Sequence, residues 1–245
     1  MPAAAQRLAS RLRVEDLLLI LILTLLALRL LLPLAVGVLS SALIDPGADN
    51  ARLIVTVFAL AVQSFFMLMA VVFVAQVRRG LTWQDLGLVR CQQTWIVRAV
   101  VFALLMIPVV SLTNLLVQII QGGNFQNPQL KVLAPSGFSW DAYLSVLVLS
   151  AVIVPVTEEI VFRGLFFAWL KGRVGLTAGA GISAVVFALL HGVPQLIPSL
   201  SILGVALAYL YEKSGSVWPS IFMHATFNGL MTSLLYYSLA QGLEL

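Results

Sequence analysis

The run "AYLSVLVLSAVIVPVTEEIVFRGLFFAWL", residues 142–170, decides the fold. It is longer than the roughly 20 apolar residues a helix needs to cross a bilayer, and its only charged residues are Glu158, Glu159 and Arg163. In lipid, every backbone N–H and C=O must be satisfied within the spanning segment, so such a run folds as a helix. Two carboxylates and a guanidinium in that setting are costly and face a bundle interior or a wet cavity.

The rest of the 245-residue chain has the same character. It is 61% hydrophobic and 10% charged, where a soluble domain carries about 25% charged residues. Its apolar runs are continuous, which excludes an outer-membrane barrel, whose strands alternate over about ten residues. The expected fold is an all-α polytopic transmembrane bundle. It has about seven spans: 16–39, 53–77, 96–121, 142–170, 176–192, 196–212 and 217–240. An eighth element would fit in the extended fourth run, broken at Pro155. The fifth and sixth runs are short. No internal repeat or low-complexity tail divides residues 1–245, so one domain is expected. The first apolar run is too long for the core of a secretory signal and lacks a clear small-residue cleavage site, so it reads as a retained span.

Charge orients the bundle. Arg7, Arg11 and Arg13 precede the first span; Arg78, Arg79, Arg90 and Arg98 fall in the 78–98 connection; Lys171, Arg173 and Lys213 follow later spans. The alternate loops hold Asp45, Asp49 and Arg52, then Lys131 and Asp141. Basic residues enriched beside the N-terminus predict that this side is cytoplasmic, in the cell membrane, with the C-terminus outside. The basic residues are thus a topology signal, and no nucleic-acid partner is expected. The segment 124–137 reads as a polar outer loop. The segment 80–90 reads as an inner interfacial one, with Trp83 at headgroup depth. The single cysteine, Cys91, excludes an intrachain disulfide and any multi-cysteine metal site.

The buried ionisable residues sort by helical spacing. Glu159 and Arg163 are four apart, with the acid N-terminal, and form a favourable pair on one face. Glu158 is five from Arg163 and points away, which leaves it unpaired and suited to act as a general base. The chain's two histidines, His191 and His224, both lie deep in apolar runs. Phe187 precedes His191 by four, and Asn228 follows His224 by four. From Lys171, Glu158 lies 13 positions back, and from Thr177, His191 lies 14 positions on, each roughly 20 Å along a helix. From Ser216, His224 lies about 12 Å in and Asn228 about 18 Å. Three spans thus present polar groups in one layer. A carboxylate, two imidazoles and an amide in one layer suit hydrolysis: Glu158 with His191 polarising water, His224 and Asn228 donating to an oxyanion. These spans hold no Asp for a Ser–His–Asp arrangement, and there is no His-Glu-x-x-His helix. For Phe187, packing against His191 is the simpler role. Arg29 is expected to find an interhelical partner or to snorkel. For Asn114 and Gln118, interhelical hydrogen bonding is the default.

Glu-Glu-x-x-x-Arg (158–163), Phe-x-x-x-His (187–191) and His-x-x-x-Asn (224–228), in this order on successive spans, resemble the CAAX protease and bacteriocin-processing (CPBP/ABI) family, which includes the CAAX prenyl endopeptidases. The resemblance covers about residues 140–240. It implies an intramembrane endopeptidase acting on a membrane-associated or lipidated polypeptide. Glu158 and His191 would activate water, His224 and Asn228 would form the oxyanion site, and Glu159, Arg163 and Phe187 would support them. It implies no cofactor, with zinc as the alternative, held by Glu158, His191 and His224 and a water. Two non-enzymatic alternatives stand beside it: a membrane scaffold or immunity protein, and a proton-coupled transporter that uses buried Glu and His as relays.

Overall fold

A computed structural model describes residues 7–8, 10–43, 51–123, 127–134 and 138–242. Asp45 and Asp49 lie outside the described residues. The apolar runs fold as helices. Helix α1 comprises Val14–Leu26, a π turn Ala27–Leu31 and Leu32–Leu43; α2 comprises Ala51–Val71 and a π turn Val72–Arg78. Helix α3 is Gln93–Ile120 and the short α4 is Pro128–Leu133. Helix α5 runs continuously through Trp140–Val174. It is followed by α6 (Leu176–Leu190), α7 (Ile197–Ser214) and α8 (Trp218–Ala240). Five of these helices, α1, α2, α3, α5 and α7 with its leading turn, are long and apolar enough to cross a membrane. Their outward faces are crowded with exposed Leu, Ile and Phe, among them Leu30, Leu34, Phe73, Leu105 and Ile119. The chain is an all-α polytopic membrane bundle.

The fourth run corrects one expectation. Pro155 does not break it into two elements. Pro155 has no N–H and its ring clashes with a regular preceding turn. Helix α5 answers with a π turn over Leu149–Ile153, just before the proline, and continues. The same solution appears in α1, where the π turn Ala27–Leu31 ends shortly before Pro33. The extra helix lies instead in the segment between α3 and α5, where the Asn127 side chain accepts from the Gln129 N–H at 3.0 Å and Pro128 opens α4.

Helix α8 packs on α3, α7 and the first half of α5, while α6 lies along α7 and the last turns of α5. Helix α2 also packs on α5, and α1 packs on α2. The basic segments gather at one end. Asp16, fully buried, accepts from Arg78 Nε (3.2 Å), Arg79 Nε (2.7 Å) and the Arg13 N–H (2.8 Å). Arg173 and the Trp169 indole both donate to the Leu12 carbonyl, and Lys171 meets Glu212 at 2.6 Å. The opposite end is closed by Leu53, Ala134, Val146, Leu235 and Tyr236. Arg29 lies on the exposed face of α1. Gln118 caps the end of α3 through the Gly123 carbonyl at 3.2 Å.

The segment 80–90 folds as turns that tuck inward. Leu81, Asp85 and Leu86 are buried, and Trp83 is 38% exposed. Asp85 accepts from the Thr82 N–H (2.9 Å) and hydroxyl (2.8 Å), and Arg7 lies 3.7 Å away. Burial pushes the Asp85 carboxyl up, but the Thr82 donors and the nearby Arg7 and Arg11 more than offset it and hold its pKa below the usual carboxylate range. The Leu86 carbonyl sits against Gly164 of α5 so closely that no Cβ fits there.

Candidate active site

Helix α5 supplies the two carboxylates from the turn that follows Pro155. Thr157 returns its hydroxyl to the Ile153 carbonyl at 2.9 Å, which holds that turn together. A second π segment, Ile160–Phe167, begins directly after Glu159 and contains Arg163 and Gly164.

The adjacent carboxylates have different surroundings. Glu159 is fully buried, and one of its oxygens, Oε1, accepts from Arg163 Nη1 at 2.8 Å and from His224 Nδ1 at 2.8 Å. Arg163, 1% exposed, also donates through Nη2 to the Gly204 carbonyl on α7 at 3.2 Å. The guanidinium lies 4.6 Å from the centre of the Phe187 ring. Glu159 thus ties α5 to α8, and Arg163 ties α5 to α7 and α6. Glu158 is 15% exposed on its side chain. Its Oε2 is buried without a hydrogen-bond partner among the described residues, and the nearest cationic candidate is His224 Nε2 at 3.9 Å.

His224 therefore lies between the two carboxylates and is bonded to Glu159 alone. Its Nδ1 faces a carboxylate oxygen and donates, which directs Nε2 toward Glu158. Donation from Nε2 requires a second ring proton. His191 follows the last residue of α6, where Gly192, at φ +71°, and Pro194 stop the helix. Its Nδ1 lies 2.8 Å from the Phe187 carbonyl, so Nδ1 carries a proton and Nε2 of the neutral ring is an acceptor. Helix α6 has 15 residues, about 22 Å of rise against a hydrocarbon core of about 30 Å. Its end, carrying His191, is then short of the far surface. Irregular backbone at that depth must be buried in protein or line a water-filled cavity.

Phe187 is the hub between these groups. It is fully buried, and its ring lies 4.7 Å from that of His191, 5.9 Å from that of His224 and 5.1 Å from that of Phe162. Asn228, one turn beyond His224, donates from Nδ2 to the Ser150 carbonyl at 3.0 Å. One turn further, Thr232 meets the Ser150 hydroxyl at 2.9 Å. The geometry thus joins Glu159, Arg163 and His224 directly, with Glu158 3.9 Å from His224; His191 connects to them through the Phe187 ring, and Asn228 is anchored to the same α5. Among the described residues, no group of three or more His, Cys, Asp or Glu side chains is arranged to hold a metal ion.

Two features escaped the sequence reading. The His224–Glu159 bond joins residues 65 positions apart; depth put both in one layer, but spacing cannot choose which carboxylate takes the imidazole. Ser150 and Thr232 had a signal: His224, Asn228 and Thr232 form a stripe at intervals of four.

Residues 140–230 match the model of a known family, described as Type II CAAX prenyl endopeptidase Rce1-like. The match bears out the resemblance carried by the three motifs and runs from the start of α5 to the middle of α8. The chain is also 28% identical over 82 residues to a Bacillus subtilis (strain 168) protein, "Putative membrane peptidase YdiL". That similarity spans 34% of this chain and 34% of the relative, about a third of each. No solved structure matches the chain.

Proposed function

We propose that this membrane protein, whose α5–α8 segment fits the Rce1-like family, is an intramembrane endopeptidase that hydrolyses a peptide bond in a membrane-associated or lipidated polypeptide. CAAX-type processing and bacteriocin-like precursor processing are the two substrate classes its resemblance suggests. One observation carries the reading: both carboxylates leave Oε2 without a donor among the described residues, but Glu159 is sealed in and held on Oε1 by two donors, whereas Glu158 is 15% exposed and stands 3.9 Å from His224 Nε2.

Glu158 accepts a proton from water as the water oxygen bonds to the scissile carbonyl carbon, and the C=O electron pair moves onto the carbonyl oxygen. His191 Nε2, fixed as an acceptor by the Nδ1 bond to Phe187, assists the deprotonation. His224 Nε2, when protonated, and the second Nδ2 hydrogen of Asn228 donate to the oxyanion. Collapse re-forms the C=O and breaks the C–N bond, and the proton held by Glu158 passes to the leaving amine. Glu159, Arg163 and Phe187 hold the imidazoles in place. No cofactor is invoked. The basic residues gathered at the N-terminal end support a cytoplasmic N-terminus in the cell membrane.

Membranes carrying the wild type and Glu158→Gln, compared by quantitative proteomics of peptide termini, test this. The expected result is a membrane-anchored precursor that accumulates only with the variant and that purified wild type cleaves. Equal processing by Glu158→Gln removes the assignment. Stoichiometric zinc lost together with activity in His191→Ala would establish the metal-dependent alternative instead. A cellular phenotype that survives both Glu158→Ala and His191→Ala would indicate a scaffold.

A further inference from the structure

Pro155 lies three residues before Glu158 and has no N–H. In the π turn ahead of it, the Val154 N–H donates to the Leu149 carbonyl, five residues back. The next bond in that register would join the residue 155 N–H to the Ser150 carbonyl, and proline cannot make it. A buried carbonyl left without a donor costs as much as a lost hydrogen bond. The donor it finds is Asn228 Nδ2, from α8, at 3.0 Å. The π turn alone is not the point, since α1 accommodates Pro33 in the same way far from the site. What is particular to α5 is the side-chain amide on the freed carbonyl.

A carboxamide has two hydrogens on its nitrogen. Holding one on Ser150 fixes the plane of the Asn228 amide and hence the direction of the other. We propose that Pro155 is a positioning residue: by withholding its N–H it keeps the Ser150 carbonyl open as the acceptor that orients Asn228. This rests on the endopeptidase reading for its catalytic consequence, but the orientation itself is a structural claim. Restoring an N–H at 155 removes the opening. In the π register the new N–H takes the Ser150 carbonyl; in a relaxed α register the Val154 N–H does. Asn228 then shares the carbonyl with a backbone donor in either case, and its anchor weakens.

The test is a double-mutant cycle of Pro155→Ala and Asn228→Ala in the full-length protein in liposomes, with two readouts. The first is the infrared band of a 13C-labelled Ser150 carbonyl. Asn228→Ala is expected to raise its frequency in the wild-type background and to raise it by much less in the Pro155→Ala background. An equal rise in both backgrounds overturns the proposal. The second is cleavage of the precursor found by proteomics. Asn228→Ala is expected to lower kcat by about 10²-fold or more. Pro155→Ala is expected to lower kcat by about 10-fold or more with KM unchanged, and to add nothing in the Asn228→Ala background. Full activity in Pro155→Ala, or losses that multiply in the double variant, overturns it. Should Asn228→Ala retain full activity, the oxyanion role fails, and the carbonyl band alone decides whether Pro155 controls the anchor.

Discussion

His224 Nδ1 and Arg163 Nη1 converge on the same oxygen of Glu159, each at 2.8 Å, in the interior of the bundle. The carboxylate is the common acceptor for a cation on its own helix and an imidazole on α8. Oε2 of both carboxylates lacks a donor among the described residues, but Glu158, one residue earlier in the chain, is 15% exposed where Glu159 is fully buried. Two chemically identical side chains thereby have different surroundings, one locked by two donors and one left open to solvent, and the proposed catalytic role falls to the open one.

Glu158→Gln and Glu159→Gln should therefore fail in different ways. Removing the Glu159 charge strands the buried Arg163 guanidinium, and breaking a buried pair from one side costs about 3–5 kcal/mol. Glu159→Gln is expected to lower thermal stability in detergent strongly, with activity lost as a consequence. Glu158→Gln is expected to unfold within about 1 kcal/mol of wild type while turnover disappears. Equal stability losses for the two variants would contradict the division.

Gly204 is under two constraints. Its carbonyl accepts from Arg163 Nη2, and a Cβ built on it would lie 2.9 Å from both Cα and Cβ of Ala184 on α6. Gly204→Ala must therefore push α7 away from α6 and carry the carbonyl off Arg163. Overpacking of this kind costs about 1–3 kcal/mol. The expected result is a lower unfolding midpoint that Ala184→Gly partly restores in the double variant, measured by thermal denaturation. No rescue by Ala184→Gly would mean that the two helices do not meet at these residues.

Much of this was legible in the sequence because a bilayer leaves few choices. Long apolar runs must be helices, and their boundaries follow the flanking charges. The Glu159–Arg163 pair was legible because both residues lie on one helix, where spacing alone sets proximity. The continuity of α5 through Pro155 was not, because a π turn leaves no mark in composition. The partner of His224 was hidden for another reason: it depends on how α8 rotates against α5, which is set by packing such as Gly229 against Ala151. Spacing along α8 puts Asn228 on the face of His224 but cannot show that its amide is committed to a backbone carbonyl.

Asp85 links pH to the stability of the 80–90 segment. Its carboxylate accepts from the Thr82 backbone and hydroxyl, and its folded pKa lies below the ordinary value of 3.8. A depressed folded pKa contributes stability that is complete above the unfolded value. That stability is lost as pH falls from there through the folded one. Asp85→Asn should thus be less stable than wild type at pH 7. The gap should hold as the solution is acidified toward about pH 4, then close below it as the wild-type carboxylate protonates. Calorimetry of both proteins in detergent across this range checks it; a gap that widens on acidification has the wrong sign for this mechanism.

Phe187 offers the sharpest separation of packing from ring chemistry. Its fully buried ring is in contact with the Arg163 guanidinium at 4.6 Å and with the imidazoles of His191 and His224. Phe187→Leu retains most of the volume but removes the π face, so the cation loses an interaction of about 2 kcal/mol when desolvated. Phe187→Ala removes the volume as well and costs about 3–5 kcal/mol. The Leu variant is expected to stay folded, with His191 free to leave the position it holds against the ring. Its kcat should fall while substrate binding is kept, and the Ala variant should lose both fold and turnover. A Leu variant with wild-type kcat would show that the aromatic ring only fills space, and that the Nδ1 bond to the Phe187 carbonyl, which any residue at 187 retains, is sufficient to hold His191.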